Sequence, residues 1–190
     1  LVQFLRHSTE HRFGYRIELG PHGLEPGLGS PLRQSLTEAT SCTQEVVLTA
    51  RGMNFGWLSS FEEFSSNDPS LIRDALLSFI RDASREQVDA WTRSLPFVRE
   101  GTSLSISEYP PSGGHSVLLE YELPRENGRR PDVILLGNGT VLVIEFKGTD
   151  VVRRSDLDQV AAYARDLRNY HAGSRDLIVT PALVPLRYLG

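Results

Sequence analysis

Two carboxylates and one ammonium group stand in runs of the sequence that are otherwise apolar. Asp132 opens "DVILL", and Glu145 and Lys147 close "VLVIEFK". A carboxylate in such a run is costly unless something compensates it. Between the runs lies Asn138-Gly139, a pair favoured in two-residue type I′ turns because both positions need positive φ. With those two residues as the loop, 137 pairs with 140 and 136 with 141, so Asp132 falls opposite Glu145. Opposed residues on antiparallel strands share a face, with Cβ atoms about 4.5–5.5 Å apart. Lys147, two residues past Glu145, falls on the same face.

Like charges opposed on a sheet repel. Either one carboxylate takes up a proton or a cation sits between them. Lys147 brings one positive charge but cannot bridge both groups. Mg²⁺ can, because it prefers oxygen ligands and commonly uses one or two protein carboxylates together with waters and phosphate. Asp132, Glu145 and the Phe146 backbone carbonyl are therefore the candidate metal ligands, with Mn²⁺ able to replace Mg²⁺. Lys147 is then free to orient a water or to neutralise charge on a scissile phosphate. The plainer alternative is a strand-capping Asp132 beside an exposed polar tail.

The elements that must position these groups follow from the pattern around them. "NDPSLIRDALLSFIRDAS" reads as a helix capped by Asn67 or Asp68, with Pro69 in its first turn and Leu71, Ala75, Leu76 and Phe79 at helical spacing. "SREQVDAWTRSLPF" reads as a second helix, with Ser84 as N-cap, Gln87 in a capping-box position, and Val88, Trp91 and Leu95 as its stripe. From about residue 115 the period changes to two. "HSVLLEYEL", "PDVILL" and "VLVIEFKG" read as three strands. "RSDLDQVAAYARDLRNYH" is a helix capped by Ser155, with Leu157, Val160, Ala161, Ala164 and Leu167 on one face and Gly173 beyond its end. "RDLIVTPALV" closes as a buried strand. The fold class expected is α/β: a central mixed sheet flanked by helices, in the order helix, three strands, helix, strand. Residues 1–65 form an N-terminal extension, in which "YRIEL" and "EVVLTA" suit strands and 20–29 is a Gly/Pro loop. Residues 66–190 form the domain that carries the site.

Composition sets bounds. The chain has 190 residues, 39% apolar and 23% charged, the balance of a globular domain. Its apolar runs fall far short of the roughly 20 residues of a membrane span. There is no signal-peptide pattern, and a single cysteine, Cys42, suits a reducing cytoplasm. Net charge is −4, unlike many nucleic-acid binders. The charge is uneven: residues 1–120 hold 10 Lys+Arg against 15 Asp+Glu, and residues 121–190 hold 10 against 9. Arg129, Arg130, Lys147, Arg153, Arg154, Arg165, Arg168 and Arg175 could form a local basic surface. The chain begins with Leu, as expected of a processed chain or a piece of a longer one.

On "PD" (Pro131-Asp132) and "EFK" (Glu145-Phe146-Lys147) the sequence resembles the PD-(D/E)XK nuclease superfamily. That resemblance implies a restriction-endonuclease-like core, helix-strand-strand-strand-helix-strand. It also implies Mg²⁺-dependent phosphodiester hydrolysis of the endonuclease kind, with Asp132, Glu145 and Lys147 catalytic. "QVAAY" resembles the QxxxY motif of the RecB-like branches, placing Gln159 and Tyr163 as i, i+4 neighbours in a substrate-binding or supporting role. "QVDAW", "LLEYELPRENGRRPDVILL", "VLVIEFKG" and "DLDQVAAYARDLRNYH" resemble the N-terminal nuclease-like domains fused to Schlafen-like ATPase/helicase modules in bacteria. The partner implied is nucleic acid, DNA ahead of RNA, with a fused or partner ATPase/helicase and a homo-oligomer both compatible. Phage defence and DNA repair are the settings implied. The chain itself has no GxxxxGK[ST] phosphate loop. The alternative is a catalytically silent nucleic-acid-binding or assembly module serving such an ATPase.

Members of that superfamily often carry a further acidic residue. Glu122 on the first strand is the preferred helper, ahead of Glu120 and Glu86, and Arg130 is a further supporting residue. The other signals are weaker. His7 and His11 have ligand spacing but no third ligand nearby. Cys42 has no partner motif, His171 suits a helix C-terminus, and Ser112-Gly-Gly-His115 reads as a turn.

Overall fold

The computed structural model divides into two units, Leu1–Thr49 and Ala50–Gly190. It describes residues 54–186 apart from 125, 127 and 150, all in the second unit. The two expected N-terminal strands, the 20–29 loop, His7, His11 and Cys42 lie outside the described residues.

The hairpin at Asn138-Gly139 sets the register of the whole sheet. Both turn residues have positive φ, 49° and 71°, as a type I′ turn requires. They join β3 (Val133–Gly137) to β4 (Thr140–Lys147), with Gly137 opposite Thr140 and Val133 opposite Ile144. This is the register expected from the sequence. Ahead of β3, β2 (Ser116–Leu119) pairs antiparallel with it, and β1 (Trp57–Ser60) pairs antiparallel with β2. Beyond β4, β5 (Ile178–Pro185) lies parallel to it, which requires a crossover connection. That crossover is α4 (Arg154–Tyr170). The result is an α/β fold around a mixed five-stranded sheet in the order β1-β2-β3-β4-β5.

Among the described residues, three helices precede the meander: α1 (Phe61–Ser66), α2 (Pro69–Phe79) and α3 (Arg85–Glu108). Each starts on a side-chain cap: Ser60 in a capping box with Glu63, Asp68 with Pro69 next to it, and Ser84 accepting from the Gln87 N–H. They bury Phe61, Phe64, Ile72, Leu76, Trp91, Leu95 and Val98 against Leu119, Val133, Leu135, Leu142, Ile144 and Phe146 on one face of the sheet. Fully burying each such side chain contributes about 1.5–3 kcal/mol. On the other face α4 lays Val160, Tyr163, Ala164 and Leu167 over Ile134, Val141 and Val143. The strand alternation thus places Glu145, next in step after Val141 and Val143, on the α4 side.

Several local expectations need correction. Residues 57–65, assigned from sequence to the N-terminal extension, form β1 and all but the last residue of α1, in the second unit. α3 continues through Pro96 to Glu108 because its apolar stripe continues at Val98 and Thr102. β2 stops at Leu119, since Glu120 adopts a left-handed φ of 52°. α4 is capped at Arg153, whose N–H donates to the Asp156 carboxylate at 2.9 Å, so Ser155 is inside the helix. Leu157 and Leu71, expected on buried faces, are exposed. Among the described residues β5 is an edge strand, mostly half-buried, and it carries Pro181 and Pro185 as edge strands tolerate. Among the described residues no helix is long and apolar enough to cross a membrane.

Candidate functional site

The site lies where β3 begins and β4 ends, under the first half of α4. Asp132 sits one residue before β3, and its Oδ2 accepts the Phe146 N–H at 2.7 Å. Glu145 is 5% exposed. Its Oε1 accepts from Lys147 Nζ at 3.0 Å and from Gln159 Nε2 at 2.9 Å. Lys147 also donates to Gln159 Oε1 at 3.0 Å, which closes a three-membered ring of side chains. Gln159 Nε2 lies 2.9 Å from the Tyr163 hydroxyl, one helical turn along α4. The buried Oε2 of Glu145 has no hydrogen-bond partner. This arrangement is not that of an exposed polar tail.

Pro131 explains a further opening. In the β3–β4 register it faces Phe146, whose N–H already points toward the β3 side. The N–H and C=O of one strand residue point to the same side, and in an ordinary ladder the opposed residue returns an N–H to that carbonyl. Proline has none to return. The Phe146 carbonyl is thereby denied its usual ladder donor at the same end of the sheet as the two carboxylates.

The electrostatics follow from this crowding. Burial and the nearby Glu145 charge push the Asp132 carboxyl well above the usual carboxylate range, against the pull of the Phe146 N–H. Burial raises Glu145 as well, partly offset by the Lys147 hydrogen bond and charge. For Lys147, burial favours the neutral amine, but the hydrogen bond and charge of Glu145 outweigh it and the ammonium is stabilised. Two carboxylates that resist ionisation together, and an orphaned buried oxygen on one of them, suit a hard divalent cation. Among the described residues no three His, Cys, Asp or Glu side chains form a ready-made metal cage. Mg²⁺ does not require one, since it keeps several waters. Asp132, Glu145 and the Phe146 carbonyl fit such an ion as a partial, all-oxygen set.

The structure brings Asp132, Glu145, Phe146, Lys147, Gln159 and Tyr163 together. The acidic residue it sets against Asp132 is Glu120 rather than Glu122. The Glu120 N–H donates to the Asp132 carbonyl at 3.1 Å, whereas the Glu122 N–H donates to Asn54 at 2.6 Å. Glu120 is 4% exposed. The Trp91 indole N–H donates to its Oε1 at 2.7 Å, and Arg130 Nε lies 3.3 Å from its Oε2. Burial raises its pKa, opposed chiefly by the Trp91 hydrogen bond. Arg130 is therefore paired with a buried acid. Glu86 stays in the first turn of α3, where the backbone N–H and Ser84 hold its carboxyl low. His115 packs edge-on to Phe61, and His171 edge-on to Tyr121.

A signal for Lys147 lay in the composition: it is the only lysine in the chain, beside 19 arginines. A compact, strongly hydrated ammonium differs chemically from the planar guanidinium used everywhere else. The positive φ of Glu120 had no such signal. Comparison of the chain with protein-family models, with curated proteins and with solved structures finds no match.

Proposed function

We propose that this chain is a metal-dependent nuclease that hydrolyses phosphodiester bonds, with DNA as its substrate. The observation that carries the reading is the state of Glu145. One of its oxygens is held by Lys147 and Gln159, and the other is buried and unpartnered beside Asp132. The resemblance of Pro131-Asp132 and Glu145-Phe146-Lys147 to the PD-(D/E)XK superfamily supports the same reading.

Asp132, Glu145 through Oε2, and the Phe146 carbonyl would hold Mg²⁺ or Mn²⁺. When bound, such an ion supplies Lewis acidity toward phosphate and lowers the pKa of a coordinated water. The chain's own residues do the rest. Lys147 is a firm cation that orients the attacking water and offsets charge building on the phosphate oxygens. Gln159 fixes both Glu145 and Lys147, and Tyr163 fixes Gln159, so α4 sets the aim of the site.

The test is cleavage of double-stranded DNA, single-stranded DNA and RNA in Mg²⁺ or Mn²⁺, with and without chelator. Asp132→Ala and Lys147→Ala should each lower cleavage by about 100-fold or more while circular dichroism stays unchanged. Wild-type rates in either variant would refute the assignment. The second reading is a silent binding or assembly module for an ATPase/helicase. It is favoured by the pairing of Arg129 and Arg130 with buried acids, which leaves a weak field for phosphate. DNA binding with no cleavage in either metal would select it.

A further inference from the structure

Arg129 and Arg130 immediately precede the Pro131-Asp132 pair, and both are engaged with protein groups. Arg129 Nη1 lies 3.0 Å from Glu126 and 3.3 Å from Asp166 of α4, and its guanidinium lies over the Tyr163 ring, 4.9 Å from the centroid. Arg130 turns to Glu120, which the Trp91 indole of α3 holds from the other direction. Adjacent side chains of an extended segment point to opposite faces. One arginine thus reaches the α4 layer and the other reaches the α3 layer, across the end of the sheet.

The acids they meet are not ordinary surface groups. Asp166 is 6% exposed and Glu120 is 4% exposed. Asp166 interrupts the apolar face of α4 between Ala164 and Leu167. A buried carboxylate needs partners; Asp166 also meets Arg165 at 3.3 Å and Glu120 meets the Trp91 indole, so each arginine is one of two groups that hold its acid. Glu120 also holds a left-handed backbone at a non-glycine position, a conformation that persists only when its surroundings enforce it. The backbone between the two arginines and Asp132 is pinned as well. The Arg129 carbonyl accepts from Leu123 N at 3.0 Å, and the Asp132 carbonyl accepts from Glu120 N at 3.1 Å. Both bonds lie beyond the last β2–β3 pair, Leu119 with Val133.

We propose that Arg129 and Arg130 form a two-sided buttress that sets the place of Asp132, through Asp166 on one side and Glu120 on the other. They are positioning residues and not contacts to substrate phosphate. The catalytic consequence rests on the nuclease reading above; the placement of Asp132 does not. Arg129 meets Glu126 and Asp166 through one nitrogen, Nη1, while its planar guanidinium lies over the Tyr163 ring, a stacked geometry that the compact ammonium of a lysine does not reproduce.

The Phe146 amide, which donates to Asp132 Oδ2, is a direct reporter of that placement. In ¹H–¹⁵N spectra of the full chain, Arg129→Lys and Arg130→Lys should each move the Phe146 amide resonance and speed its exchange, while Leu142 at the middle of β4 is unchanged. Asp166→Asn should reproduce the Arg129→Lys spectrum. Mn²⁺ affinity should fall by about tenfold, the scale on which outer partners of a metal ligand act. kcat should fall with KM for DNA unchanged. An unmoved Phe146 resonance together with a raised KM would overturn the buttress and make these arginines substrate contacts. A wild-type chain that neither binds Mn²⁺ nor cuts nucleic acid would overturn the nuclease reading alone, since the Phe146 resonance still decides the buttress.

Discussion

Asp132 holds its place at a cost that depends on pH. Burial and the Glu145 charge both disfavour its ionised form, so its carboxyl titrates higher in the folded chain than in the unfolded one. Below the ordinary carboxylate range it is protonated in both states and carries no penalty. As pH rises through the raised value, the unfolded chain gains from ionisation that the folded chain resists, and stability is lost. Asp132→Asn is neutral at every pH and keeps an oxygen to accept the Phe146 N–H. In chelator, the variant and the wild type should melt together near pH 4 and diverge by about 3 °C or more, in favour of the variant, near pH 8. Mg²⁺ should shrink that gap by stabilising the wild type alone. Equal melting temperatures across the range in chelator would mean that Asp132 is not strained by its surroundings. Lys147 was legible from sequence because a charge stood in an apolar strand. Glu120 was not, because its importance lies in a backbone twist that turns it inward next to Leu119, against the strand alternation.

At the scale of elements, the hairpin was legible because its signal is local: two turn residues fix the register, and the register fixes which side chains meet. α3 was read to Phe97 and runs on to Glu108, past Pro96, a residue that ordinarily stops a helix and that tertiary packing overrides here. A proline inside a helix costs about 3 kcal/mol through a lost hydrogen bond and a clash with the preceding turn. The helix continues because Val98, Gly101 and Thr102 extend its buried stripe, and Thr102 bonds Ser65 of α1 at 2.9 Å. Pro96 itself is exposed. Pro96→Ala should therefore forfeit no packing, restore one backbone donor, and raise stability by about 1–3 kcal/mol. The measurement is a urea titration with an unchanged slope and a higher midpoint. A lower midpoint would show that a bend at this position is needed to seat Trp91 and Val98 together.

For the whole molecule, the two faces of the sheet are unequal. Among the described residues the face under α1, α2 and α3 gathers 17 buried apolar residues and the α4 face gathers 8, so α4 is the less firmly held layer. Among the described residues β5 pairs with β4 alone, along eight residues, and places Val184 in the larger core. This imbalance was hidden in the sequence, where α4 shows the clearest helical pattern and β5 looks buried. Neither pattern reveals that Asp166 occupies part of the α4 face or that, among the described residues, β5 ends the sheet. α4 is also the layer that holds the site, through Gln159 bonded to Glu145 and Lys147. Local opening free energies track buried apolar contact. Hydrogen exchange read by mass spectrometry should then show α4 and β5 exchanging before β3 and β4. Adding Mg²⁺ should slow α4, because an ion on Glu145 steadies the carboxylate that Gln159 binds, and an ion that binds only the closed form stabilises it by mass action. In Asp132→Ala the Mg²⁺ effect on α4 should disappear while the order of exchange stays the same. If α4 exchanged together with the central strands, the two faces would be one cooperative unit and α4 would not be the less firmly held layer.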